Sequence, residues 1–161
     1  MFTLHAKNTD LIAEMLRKYP QQTVLAMQTA MIEATTYIEA RIKNDSPTAT
    51  GLLRDSWTSS VEVSDSGITG IVGTASMYAL PVELGSKPHT PPIQPIIDWV
   101  VLKLGIDDDV ERVAWGIVNK IRKYGTKGQF TVQGVMQDKN TALIYEQIIE
   151  KHLNRVITQN A

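Results

Sequence analysis

The stretch from Pro20 to Asn44 constrains this chain more than any other. Val24, Met27, Met31, Ala34, Ile38 and Ile42 recur every three or four residues, the spacing of one face of an α-helix. Tyr19-Pro20 stands just ahead. Proline disfavours helix in the residue before it and suits the first turn of the helix it opens. The pattern predicts a long helix over about 20–44 carrying one continuous apolar stripe. A shorter helix is predicted over 9–18, where Leu11, Ile12, Met15 and Leu16 have helical spacing and Thr9 can cap.

Turn formers fill Asp45 to Gly51. Leu52 to Trp57 then leads into a strand in which Val61 and Val63 alternate with Ser60 and Glu62. Ser64 to Gly67 reads as a hairpin turn and Ile68 to Thr74 as the returning strand. The hairpin, at about 58–74, is expected to receive the stripe of the long helix. Gly70 and Gly73 mark a bulge or a close approach. Met77 to Gly85 is a short helix or an edge segment. Ser86 to Pro95 holds four of the seven prolines, Pro88, Pro91, Pro92 and Pro95, so 86–95 is predicted as a stiff extended loop. Pro95 opens a helix that Gly105 stops.

Asp107, Asp108 and Asp109 precede a further helix, Val110 to Tyr124, with Lys120, Arg122 and Lys123 near its end and Gly125 as its stop. Acids at a helix start and bases at its end suit the macrodipole. Gly128 to Gly134 reads as extended. A last helix, about Asn140 to Thr158, is expected to bury Leu143, Ile144, Ile148 and Val156. The whole is α+β: an antiparallel sheet with one hairpin, packed against a long N-terminal helix and C-terminal helices.

The 161 residues fit one domain, 1–161, with 1–19 as a candidate mobile arm. The 43% apolar fraction is ordinary for a globular core. The lack of cysteine removes disulfides, thiolate zinc sites and cysteine nucleophiles, and fits a reducing cytoplasm. A net charge of −1 provides no general field for nucleic acid. The most apolar stretch, Ile96 to Leu104, is broken by Asp98 and Lys103 and falls short of the roughly 20 residues a membrane helix needs. No signal peptide is visible in MFTLHAKNTD.

Catalytic constellations are not apparent. His5, His89 and His152 lack paired ligand spacing, so no metal or cofactor is expected. The aspartate run lacks the alternating acids, glycine and later glutamate of a calcium loop. Ser56 and Ser86 stand in no nucleophile motif, and Glu83 with His89 is the nearest thing to a titratable pair. Trp57, Trp99 and Trp115 read as core or interface anchors. Arg122, Lys123 and Lys127 form a small basic patch, best read as a solvated helix end; DNA contact is compatible with it but not indicated.

Three blocks carry a resemblance. They are Thr50-Gly51-Leu52-Leu53-Arg54-Asp55-Ser56; Tyr78-Ala79-Leu80-Pro81-Val82-Glu83-Leu84-Gly85-Ser86-Lys87-Pro88-His89 with Pro91-Pro92-Ile93 and Trp99; and Ala114 to Ile121 with Gly125-Thr126-Lys127-Gly128 and Phe130. In this order, over roughly 20–155, the chain resembles the tail-completion, or neck, proteins of long-tailed bacteriophages, a group similar to the minor tail protein Z of lambda-like phages. The middle block departs from the family pattern at Leu84, where an aromatic is usual, and at Ser86, where threonine is usual.

The resemblance implies a structural virion protein, not an enzyme, that completes the tail and joins it to the head. A tail-terminator or head–tail adaptor ring subunit is the alternative, and a small hydrolase a remote one. It implies neck and tail proteins as partners, a homo-oligomeric ring, no membrane, and a place in the virion after assembly in the host cytoplasm. A ring subunit needs two different faces, and stiff proline loops lose little entropy on contact. The expected contacts are therefore Leu84, Ser86, Lys87, Pro88, His89, Pro91, Pro92, Ile93 and Lys127. Gly51, Gly85 and Gly125 are read as serving backbone geometry, with the last two in the left-handed conformation that ends a helix or reverses the chain.

Overall fold

The computed structural model describes residues 9–48, 51–64 and 67–160. His5, Thr50 and the centre of the Ser64–Gly67 turn, Asp65 and Ser66, lie outside the described residues.

Two helices open the chain, α1 (Thr9–Lys18) and α2 (Pro20–Asp45). Pro20 has no N–H, so the ladder skips a rung there, yet the backbone N–H of Tyr19 reaches the Met15 carbonyl (2.7 Å) and that of Thr23 the Tyr19 carbonyl (2.9 Å). After the one-turn α3 (Leu52–Asp55), strands β1 (Trp57–Ser64) and β2 (Gly67–Thr74) form the antiparallel hairpin. Then come α4 (Ala79–Leu84), the two-residue β3 (Gly85–Ser86), α5 (Ile93–Trp99) continuing into one turn of π-helix (Val100–Leu104), and α6 (Val110–Tyr124). The two-residue β4 (Thr126–Lys127), α7 (Thr131–Gln137) and α8 (Lys139–Gln159) complete the chain. The α+β class, the long second helix and the hairpin are as the residue pattern predicts.

The described residues group into two compact units. One holds the chain through Ile42, Trp57–Gly73, and the chain from Gln133 onward; the other holds Lys43–Ser56 and Thr74–Val132.

In the first unit, Met15 of α1, Ala30 and Ala34 of α2, and Tyr145, Ile148, Ile149, Leu153 and Val156 of α8 form the buried core. Alanines one turn apart let α8 approach α2 closely. The same helix supports the hairpin: Ser59 Oγ donates to Glu39 Oε2 at 2.6 Å, and a Cβ on Gly70 would overlap Thr35 and Met31. Gly70 is thus a close approach, while Gly73 has open space around it. Asp138 caps α8, accepting from the Asn140 N–H at 3.0 Å, and pairs with Arg41 at 3.1 Å.

Several local expectations are corrected. Val24 is exposed, and Thr23 and Ala30 are buried instead. Thr23 and Thr35 return their hydroxyls to the Tyr19 and Met31 carbonyls (2.7 and 2.9 Å), which removes most of the cost of burying them. Leu143 lies on the open side of α8 at 53% exposure, while Tyr145, Ile149 and Leu153 face inward. The proline loop is shorter than 86–95: Gly85–Ser86 is a strand, Ile93 begins the helix, and Pro95 falls in its first turn, where no N–H is needed. Asp109 sits before α6 with φ +54° and makes no cap bond; its carboxylate pairs with Arg112 at 2.9 Å. The end of the 128–134 segment is helical as α7, not extended.

Candidate assembly surface

The second unit is organised by two segments that share the order glycine, hydroxyl residue, lysine: Gly85-Ser86-Lys87 and Gly125-Thr126-Lys127. The structure pairs them as antiparallel strands, Gly85 opposite Lys127 and Ser86 opposite Thr126. The Ser86 N–H donates to Thr126 Oγ1 at 3.0 Å, and the two hydroxyls lie 2.9 Å apart. The pairing extends beyond the strands, with the Gln129 and Phe130 N–H groups donating to the Val82 and Glu83 carbonyls at 2.8 and 3.1 Å.

Both glycines have positive φ, but neither is in the left-handed helical well that the sequence suggests. Gly85 has φ 82° and ψ 176°, and Gly125 has φ 72° and ψ −160°. That extended region is open essentially only to glycine. A Cβ on Gly85 would strike the Thr126 carbonyl, and one on Gly125 the Ser86 carbonyl. Gly128, which residue reading did not single out, is as confined: its Cβ would lie 2.6 Å from the Glu83 carbonyl oxygen. Gly51, at φ 83°, precedes α3.

Glu83 acts within this clasp. Its Oε2 accepts from the Val132 N–H at 3.0 Å, which satisfies one of the free donors at the start of α7. His89 lies in the exposed loop, its Nδ1 2.9 Å from the Lys87 carbonyl and 3.4 Å from Ser86 Oγ. A carbonyl only accepts, so Nδ1 carries the proton and donates. It is therefore not poised as a base toward Ser86, and the Glu83–His89 pair is divided between a helix cap and a loop bond.

Beside the clasp runs an apolar groove of about 900 Å³. Tyr78, Pro88, Pro92, Trp99 and Ile121 are among its lining residues, and Lys87 and Lys127 stand at it as well. Of the nine expected contact residues, all but Leu84 and Ile93 line this groove. Thr126, Tyr78 and Trp99 belong to it too; the glycine–hydroxyl–lysine order marks the two segments as alike without saying that they pair. Of the tryptophans, Trp57 is buried in the first unit, whereas Trp115 is half exposed on α6. His152 is also buried there, its Nε2 donating to Glu33 Oε2 at 2.8 Å. Among the described residues no helix is long and apolar enough to cross a membrane, and no group of acids and histidines is arranged to hold a metal ion.

Residues 10–85 match the family model described as "Bacteriophage HK97-gp10, putative tail-component". No curated protein and no solved structure matches the chain. The match takes in α1 to α4, the Gly51–Ser56 block and the middle block as far as Gly85; the third block lies beyond it. From Asp10 to Gly85 the chain carries the signature of that bacteriophage tail-component family.

Proposed function

We propose that this protein is a structural subunit of the phage neck, which completes the tail and joins it to the head. The family match over 10–85 carries the tail assignment. The clasp and groove support the finer role, because they use the chain's chemistry for shape. Glycines that exclude side chains, a glutamate spent on capping a helix and a histidine bonded to its own loop build a rigid, apolar, lysine-edged surface. A rigid surface suits assembly, since little freedom is lost when it is covered. The subunit works by contact, with other neck and tail proteins and with further copies of itself.

Deleting the gene from its phage and imaging the lysate tests this. Filled heads beside separate tails are the expected result. Normal yields of joined, infectious particles would rule the role out, and tails of uncontrolled length would move the protein to the tail-terminator layer.

A further inference from the structure

We propose that the groove of the second unit receives a second copy of this chain: the turn bearing Leu102 and Leu104 enters it, and Asp107 and Asp108 pair with Lys87 and Lys127. This rests on the tail-component reading and names the contact by which such subunits would join.

The groove dictates the chemistry of its occupant. Its floor is proline, aromatic and aliphatic, and its edge carries two exposed lysines, Lys87 and Lys127, that are in no ion pair among the described residues. A fitting partner presents an apolar knob with carboxylates beside it. A nucleic acid offers the charge but not the knob.

The chain itself carries such an element. In the π-helical turn Leu102 is 60% and Leu104 48% exposed, and neither lines the groove. Asp107 and Asp108 follow after Gly105 and Ile106, both exposed and in no ion pair among the described residues, whereas Asp109 is held by Arg112. Trp99, three residues before Leu102, lines the groove, as do Ile117 and Ile121 in the second half of α6, but Leu102 and Leu104 stay outside it. The knob therefore does not fill the groove of its own chain, and its contact is with the groove of another copy, a pairing of two different surfaces that can repeat from copy to copy into a ring or a filament.

The test is sedimentation velocity of the full-length chain across protein and salt concentration. The wild type should self-associate, more weakly as salt rises. Lys87→Glu with Lys127→Glu, and separately Asp107→Lys with Asp108→Lys, should each weaken association by about tenfold or more, with melting curves like the wild type because all four side chains are exposed. The two charge-reversed proteins mixed in equal amounts should associate again, since the acidic groove edge of one meets the basic knob of the other. Leu102→Ser should weaken association at every salt concentration. A wild type that stays monomeric, reversals without effect, or a mixture that fails to recover would each overturn the proposal. If the wild type is monomeric while the gene deletion still leaves heads and tails unjoined, self-docking fails and the neck role stands. If the chain self-associates as described but the deletion is silent, the neck role fails alone.

Discussion

Gly85, Gly125 and Gly128 stand where backbone meets backbone, and each is there because a methyl group has nowhere to go. The first two also occupy conformations that cost other residues about 1–3 kcal/mol. Gly85→Val and Gly125→Val are each expected to destabilise by at least about 2 kcal/mol, read from denaturant melts. Gly128→Ala should cost about 1–3 kcal/mol through overlap alone. Gly116 is the control: it lies inside α6 with nothing within 4 Å of its Cβ position, so Gly116→Ala should stabilise by about 0.5–1 kcal/mol. Glu33 offers a second test at this scale. Its carboxylate accepts from Lys151 Nζ at 2.6 Å and His152 Nε2 at 2.8 Å. These bonds, that from Lys151 foremost, hold its pKa below the ordinary 4.5. A carboxylate with a lowered folded pKa adds stability that is present above its unfolded pKa and lost as pH falls through the folded value. Glu33→Gln should therefore be slightly less stable at neutral pH. Its melting temperature should also fall less steeply than that of the wild type as pH drops from about 4.5. Parallel pH curves for the two proteins would show that the bonds contribute nothing.

At the scale of elements, the clasp is where local pattern and long-range contact part company. The α2 helix and the hairpin were legible because their periodicities, 3.6 and 2, are written in consecutive residues. Glycine and lysine at the end of α6 were legible in the same way. What escaped was non-local. Thr23 reads as polar, and only its bond to the Tyr19 carbonyl makes it a core residue. Leu143 reads as core, but the α8 face that meets Ala30 and Ala34 runs through Tyr145, Ile149 and Leu153. α7 escaped because its seven residues include a glycine and its first turn is satisfied by Glu83, 49 positions earlier. The two glycine–hydroxyl–lysine segments were visible singly, but nothing local says that they pair. Glu83→Ala should cost about 1–2 kcal/mol and speed amide hydrogen exchange in 131–134, while Glu83→Gln, whose side-chain carbonyl still accepts, should cost less. Equal losses for the two would mean that the carboxylate charge, and not the cap, is what matters.

For the whole molecule, the chain passes between its two units four times, at Ile42–Lys43, Ser56–Trp57, Gly73–Thr74 and Val132–Gln133. Neither unit is a continuous segment, and we propose that they fold as one cooperative domain. Far- and near-ultraviolet circular dichroism should then report a single coincident transition; two separated transitions would contradict this. The family match over residues 10–85 is to a phage tail component, and the clasp and lysine-edged groove fit the proposed role as part of a particle. The most direct measurement is therefore quantitative mass spectrometry of purified virions, with heads and tails separated by mild disruption. This chain is expected in every infectious particle, at a fixed small copy number and in the tail or neck fraction. Its absence from purified virions, with infectivity intact, would show that the protein is not a structural part of the particle.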